Sequence, residues 1–468
     1  MVNLRHRRAA GIALAWISSC LALGASPVLA QVDAAPGAES ELPASTVSKP
    51  PFVLELRALA EHTDNVFRTA DGRVADTLTA LGFIADIRHD GRMLDYAVRA
   101  DIDWEHYLDD SFKDAAAGSV SLSADWGNRS DLFQWTVRDT FTQSRRDPVA
   151  NTTPDNLENV NVFSTGPTVS LPLGGVHQLR MQGLYSNARY EESPFGSDRL
   201  SASVGLERTL AAKSRVGLYA LGSRTEFQEA APASDFDVQE YFVRYEAEGL
   251  RTRLSADAGY ARVDEEQESS GSPLLRLALQ RKTSGSMLYA RAEQRFASAA
   301  ELTQSLAGSP AGGETGGAGF SAPLSVAGAL ESRAVAVGWS RDRPRTALSL
   351  ELGWRAEGYR RDPALDRSLL SVQAGVTRRL RSTLSLRVSA QFETEDLEQP
   401  GASADYTTVT AELEQRVGRR LRLFLGYDHR QRSGSANANR YSESSIGLRV
   451  VYSLAERGVR SDRWSLAQ

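Results

Sequence analysis

Residues 94–105 read LDYAVRADIDWE, and their alternation decides the fold. Successive side chains of an extended strand point to opposite faces. Leu94, Tyr96, Val98, Ala100, Ile102 and Trp104 therefore share one face, and Asp95, Arg99, Asp101, Asp103 and Glu105 share the other. The second face carries more charge than a β-sandwich core can bury. Such a strand has one greasy face and one polar face.

The same period-two pattern recurs from Phe52 to Ser453. It is clean in Val120, Leu122, Ala124, Trp126; in Leu200, Ala202, Val204, Leu206; in Leu348, Leu350, Leu352, Trp354; and in Leu384, Leu386, Val388, Ala390, Phe392. The connections alternate in length. Short turns fall at sites such as His89–Arg92, Leu173–Val176 and Lys282–Ser284, and longer loops lie between them, among them 62–79, 143–162, 263–272 and 298–329. Transmembrane barrels have tight periplasmic turns at one rim and longer external loops at the other, with strands of ~10 residues. The expectation is an all-β chain, a transmembrane antiparallel up-and-down β-barrel over residues 51–453 with 18–20 strands, twenty preferred, and both termini on the periplasmic side. The weakest strands are Thr165–Pro172, interrupted by Pro167, and the short Leu274–Arg281. Trp104, Trp126, Tyr260, Trp354, Phe392 and Tyr427 end their apolar rows, as aromatic girdles do.

Outside the barrel, residues 1–30 read as a signal peptide: Arg5, Arg7 and Arg8 are followed by an apolar run and by Val28-Leu29-Ala30 as the cleavage site. Ile17-Ser18-Ser19-Cys20 leaves a second reading open, in which Cys20 is lipidated. Residues 31–50 form a flexible periplasmic leader and 454–468 a periplasmic C-terminal tail. Ser298–Leu330 is Gly-rich and favours a mobile external loop over a constriction folded inward, because Gly and Ser bring little apolar surface to hold it.

Removing the signal arginines leaves 51 basic against 59 acidic residues, net −8, which argues against a nucleic-acid partner. No GxSxG, HExxH or P-loop pattern occurs, and no two of His62, His89, His106, His177 and His429 share a metal-ligand spacing. No catalytic residue, metal or cofactor is expected. His429 and Asp139 fall in the lipid-facing phase, and a membrane-embedded lipid hydrolase would need a serine beside such a histidine that spacing does not identify. The chemistry therefore rests on the polar phase. Asp95, Arg99, Asp101, Asp103, Glu105, Arg138, Arg180, Arg253, Arg291, Arg355, Arg387 and Arg422 are its lumen-lining candidates. With this many strands the lumen is too wide for side chains to fill, so water or a plug occupies it.

Two stretches resemble a known family. Glu61-His62-Thr63-Asp64-Asn65-Val66-Phe67 and Asn151–Pro167 (NTTPDNLENVNVFSTGP) are similar to segments of the outer-membrane β-barrel porin family associated with exopolysaccharide biosynthesis and export systems, the second preceding the sixth strand there. The resemblance implies eighteen strands, localisation in the outer membrane of a Gram-negative bacterium, and a secreted polysaccharide as cargo. It also implies a periplasmic polysaccharide-export protein and an inner-membrane copolymerase as partners, besides outer-membrane lipid. By propensity alone, Asp64, Asn65, Asn156, Asn159 and Asn161 are turn and loop residues. A general diffusion porin for small solutes is the alternative reading.

Overall fold

The computed structural model describes residues 52–454 apart from 128–131, 148–149, 229–234, 267, 308–327, 399–402 and 435–438. The expected signal peptide, leader and, apart from Leu454, C-terminal tail lie outside the described residues.

The chain runs through β1 (Phe52–Thr63), β2 (Asp76–Asp90), β3 (Leu94–Tyr107), β4 (Ala115–Trp126), β5 (Phe133–Arg145), β6 (Leu157–Pro172) and β7 (His177–Tyr190). It continues with β8 (Ser197–Ala211), β9 (Ser214–Phe227), β10 (Phe236–Glu248), β11 (Thr252–Glu265), β12 (Glu268–Thr283) and β13 (Ser286–Ala297). One helix, α1 (Ala299–Ala307), follows. Then come β14 (Leu330–Arg343), β15 (Thr346–Tyr359), β16 (Arg367–Arg379), β17 (Leu384–Leu397), β18 (Ala404–Val417), β19 (Leu421–Gly434) and β20 (Tyr441–Ser453).

Each strand pairs antiparallel with its neighbours in sequence, and β20 pairs back onto β1 with Glu55 opposite Ser453 and Thr63 opposite Ser445. The sheet therefore has no free edge, and its backbone N–H and C=O groups are satisfied within the wall. The count is twenty, as preferred from the sequence; the eighteen of the family pattern does not hold. No helix among the described residues is long and apolar enough to cross a membrane.

Both weak segments are strands. Thr165–Pro172 is the second half of a 16-residue β6, whose pairing with β5 runs through Trp135 opposite Pro167. Toward β7 the register skips from Thr165–Tyr185 to Thr168–Gln182, because Pro167 has no N–H to give. Gly166 makes the interruption possible, since a Cβ there would stand 2.0 Å from the Gly183 carbonyl oxygen. Leu274–Arg281 belongs to a 16-residue β12. The long loop expected over 263–272 is corrected: β11 extends to Glu265 and β12 starts at Glu268, their Ser- and Glu-rich ends being held by ladder pairing that propensity does not foresee.

The outer face carries the apolar phase. Leu81 is 70% exposed, Leu200 65% and Leu218 62%, and Leu350, Leu352, Val335, Val337 and Leu448 continue the band. So large an open apolar surface fits a hydrocarbon surround. Replacing Leu350 by Arg places a charge on this band and lowers folding stability in lipid vesicles by about 2–4 kcal/mol, whereas Ser349→Arg, one residue away on the wet face, changes it by less than about 1 kcal/mol. Urea titration of the refolded protein separates the two.

Candidate functional site

Cross-strand register carries one phase around the wall, and all twelve lumen-lining candidates fall on its inward side. Most are engaged. Arg422 bonds Glu55 of β1 across the intervening β20, Arg253 donates to Glu248 at 3.1 Å, Arg355 to Glu357 at 3.3 Å, and Arg387 lies 3.9 Å from Glu412. Arg291 lies over the Tyr289 ring at 5.8 Å. Arg138 sits in register between Ser123 and Ser164, and Arg180 between Ser170 and Gly205. Asp95 stands between Asp90 and Asp125 at the short-turn rim, where its carboxylate accepts the Gly91 amide at 2.8 Å.

The stretch that decided the fold forms an acidic strip in this lumen. Arg57 of β1 reaches over β2 to β3, donating to Asp103 at 2.8 Å and bonding Asp101 as well. Gly82 of β2 lies between them in register, and a Cβ on it would stand 1.9 Å from the Asp103 carboxylate. Glycine there is the opening through which the guanidinium spans two strand spacings. Glu105 continues the strip beside Ala80 and Ala115, and Arg99 lies opposite Asp86 and Ser121.

At the long-loop rim the wall turns inward. Ser144 and Arg145 at the tip of β5 are both fully buried, so period two ends there. Arg145 donates to Glu395 of β17 at 2.7 Å, Arg367 of β16 donates to Glu395 at 2.9 Å and to Glu357 of β15 at 2.7 Å, and all four side chains are 0–1% exposed. β5 and β15–β17 are far apart in strand order, so this buried ionic chain crosses the mouth. Breaking a buried pair strands its partner, which makes the chain a strong fixing point.

Arg68, just after the stretch 61–67, meets the start of the stretch 151–167 here. Asn151 donates to the Arg68 carbonyl at 2.6 Å, and Arg68 in turn bonds the Thr152 carbonyl and donates to Glu443 of β20 at 2.9 Å. Arg432 of β19 donates to Asn151 at 2.6 Å, and Asn65 donates to the Ser442 carbonyl at 3.0 Å. Arg68 adopts φ of 54°, rare for a side chain of its size. Burial pulls its pKa down, but the charge of Glu443, with Tyr441 beside it, outweighs that and holds it above the ordinary value. Phe67 packs edge-on against Phe112, pinning the β1–β2 loop to the β3–β4 loop.

The Gly-rich segment is corrected in its first part. Helix α1 is not on the outside but inside, with Ala300 packed against Val160, Val162 and Ala188 of β6 and β7, and Gln304 donating to Ser164 at 3.2 Å. Leu302 fills a second contact with Leu330 and Tyr359. Residues 298–301 read SAAE: Ser298 Oγ accepts the Glu301 amide at 3.3 Å, and Glu301 accepts the Ser298 amide at 2.9 Å. That capping box, followed by apolar Ala and Leu, was the sequence signal for a helix, and the glycines downstream obscured it. Glu301 also bonds Arg199 and Arg295, tying α1 to β8 and β13. A lumen cluster unseen in the sequence lies beside it. Tyr219 and Phe242 stack at 5.2 Å, with Arg244 over both rings, among Phe236, Val238, Val263 and Leu274. These apolar residues sit on the inward phase because the loop residue Ala329 and Phe296 cover them.

On the outward face, His429 Nδ1 lies 3.0 Å from the Ser444 hydroxyl, its cross-strand neighbour, and Asp139 accepts from Asn161 at 2.8 Å. The serine that spacing could not identify is therefore Ser444, yet no carboxylate contacts His429 among the described residues. No group of three or more His, Cys, Asp or Glu positioned for a metal occurs among them either.

No protein-family model and no curated protein sequence matches the chain. Among solved structures it is similar to the FrpB iron transporter from Neisseria meningitidis, at 10% identity and a TM-score of 0.44, covering 86% of this chain and 82% of that one. It is also similar to OccK2 from Pseudomonas aeruginosa, solved in complex with glucuronate, at 11% identity and 0.36, covering 86% and 98%.

Two substitutions probe the site. Arg145→Ala leaves Glu395 short of a partner and costs about 3–5 kcal/mol in a urea titration. Gly82→Val displaces Arg57 from the acidic strip, and the expected outcome is a barrel that folds but carries more cation current relative to anion current, read from reversal potentials in a salt gradient.

Proposed function

We propose that this chain is a non-enzymatic outer-membrane pore that exports a secreted polysaccharide through its polar lumen. The observation that carries the reading is the mouth: Arg68, the residue that follows the first stretch resembling the exopolysaccharide-export family, clasps Asn151 and Thr152 of the second. The lumen below suits a hydroxyl-rich cargo. Arginines and carboxylates that are already paired, interspersed with Ser, Thr and Gln, offer a sugar many hydrogen bonds of modest strength. Conduction needs sites favourable enough to enter and weak enough to leave. A lone desolvated charge would hold its ligand; a paired one exchanges it.

The second reading, passage of small solutes, draws on α1. A helix fixed inside the wall narrows the path, and a narrow path suits small solutes better than a polymer. Under the export reading, α1 and the mouth hairpin move when cargo passes.

Deleting the gene should leave polymer synthesis running while secreted polymer falls and the intracellular or periplasmic pool rises; unchanged secretion overturns the export reading. In planar bilayers, Glu301→Ala releases α1 from Arg199 and Arg295, and the expected result is a several-fold rise in single-channel conductance. A wild-type channel that is already open, weakly selective and indifferent to Glu301 supports the small-solute porin instead.

A further inference from the structure

The short-turn rim carries a charge arrangement that neither the lumen nor the mouth uses. Arg208, Arg281, Arg341, Arg343 and Arg378 are exposed at the ends of β8, β12, β14 and β16, all on the outward phase. Arg281 is in register with Leu288, Arg341 with Leu348 and Arg378 with Leu386, which belong to the outer apolar row. Unlike the lumen arginines, these five side chains make no ion pair or hydrogen bond within the described chain. Lys213, Arg251, Arg345 and Arg381 are exposed on the intervening turns. The exposed carboxylates described on the turns from β8 to β19 are Glu248 and Asp342, and Glu248 already lies 3.1 Å from Arg253. This rim is strongly basic in a chain whose net charge is −5.

Depth identifies the ligand. Two residues toward the membrane centre from four of these arginines, on the same phase, stand Leu206, Leu279, Trp339 and Val376. That step is roughly 6–7 Å along a strand, so each guanidinium sits where the hydrocarbon ends. Short turns and both termini mark this rim as periplasmic.

We propose that this arc binds the phosphates of anionic phospholipids in the periplasmic leaflet and fixes the height of the barrel on the β8–β16 side. A guanidinium matches a phosphodiester in charge and in forked geometry, and an unpaired one at the edge of the apolar band loses nothing on the protein side when it binds. The outward direction favours lipid over an acidic periplasmic protein, which would dock on the turn tips.

The test uses the full-length protein in detergent, titrated with phosphatidylglycerol or phosphatidylcholine and read by native mass spectrometry. Wild type should retain phosphatidylglycerol preferentially. Changing Arg208, Arg281, Arg341, Arg343 and Arg378 together to Gln should reduce that preference about tenfold or more, while Gln at Lys213, Arg251, Arg345 and Arg381 leaves most of it. Folding of both variants is verified by the heat-dependent shift in gel mobility; if the fivefold variant does not fold, Arg341→Glu and Arg378→Glu singly should each lower the preference. The proposal is overturned if wild type shows no preference, or if the turn-tip set removes as much as the outward set, the outcome expected for a rim that serves an acidic protein partner.

Discussion

A chain crossing hydrocarbon has no water to satisfy its backbone, and everything else in this protein follows from that constraint. The pairing of β20 with β1 is where it is met. Once that seam closes, the paired residues of the strands have a fixed face, and one phase is lipid-facing and the other enclosed. Polar residues on the inward phase then need not be buried in a core. They line a space, and the charge density that ruled out a sandwich becomes the lining itself.

The enclosed space is not uniform. Below the mouth, ion pairs reach across one or two strands, as Arg57 does through the gap at Gly82 and Arg422 does over β20. Toward the long-loop rim the same chemistry is fully buried and runs from β5 to β15–β17, so it braces the mouth rather than one stretch of wall. Two further devices add to it: the clasp of amides and carbonyls around Arg68 and Asn151, and the α1 helix packed by Ala300 and Leu302. Electrostatics is thus divided by height: paired and wet in the lumen, paired and dry at the mouth, unpaired and outward at the short-turn rim.

Much of this was legible from residue order. The alternation in residues 94–105 assigned Asp101 and Asp103 to the wet face, and the register with Gly82 and Arg57 agrees. Strand number was harder at Pro167, where a local rule that demotes a strand was overridden by the tolerance of one partner, β7, for a skipped pair. The loop at 263–272 was overestimated because Ser and Glu have low strand propensity, yet pairing of β11 with β10 and of β12 with β11 holds those ends extended. Helix α1 was hidden by the composition of the segment as a whole, although the SAAE box at its start was in plain view.

The sequence by itself determined the cylinder. Period two, turn rhythm and the absence of any other apolar periodicity specify which side chain faces lipid, because a strand admits no other arrangement of its neighbours. Only the tertiary structure decided what stands inside. Arg145 and Glu395 are 250 positions apart and Ser164 and Gln304 are 140, and nothing local relates either pair. Their meeting depends on curvature that brings opposite walls within reach of one side chain, a quantity set by closure of the whole sheet and by no stretch of residues within it.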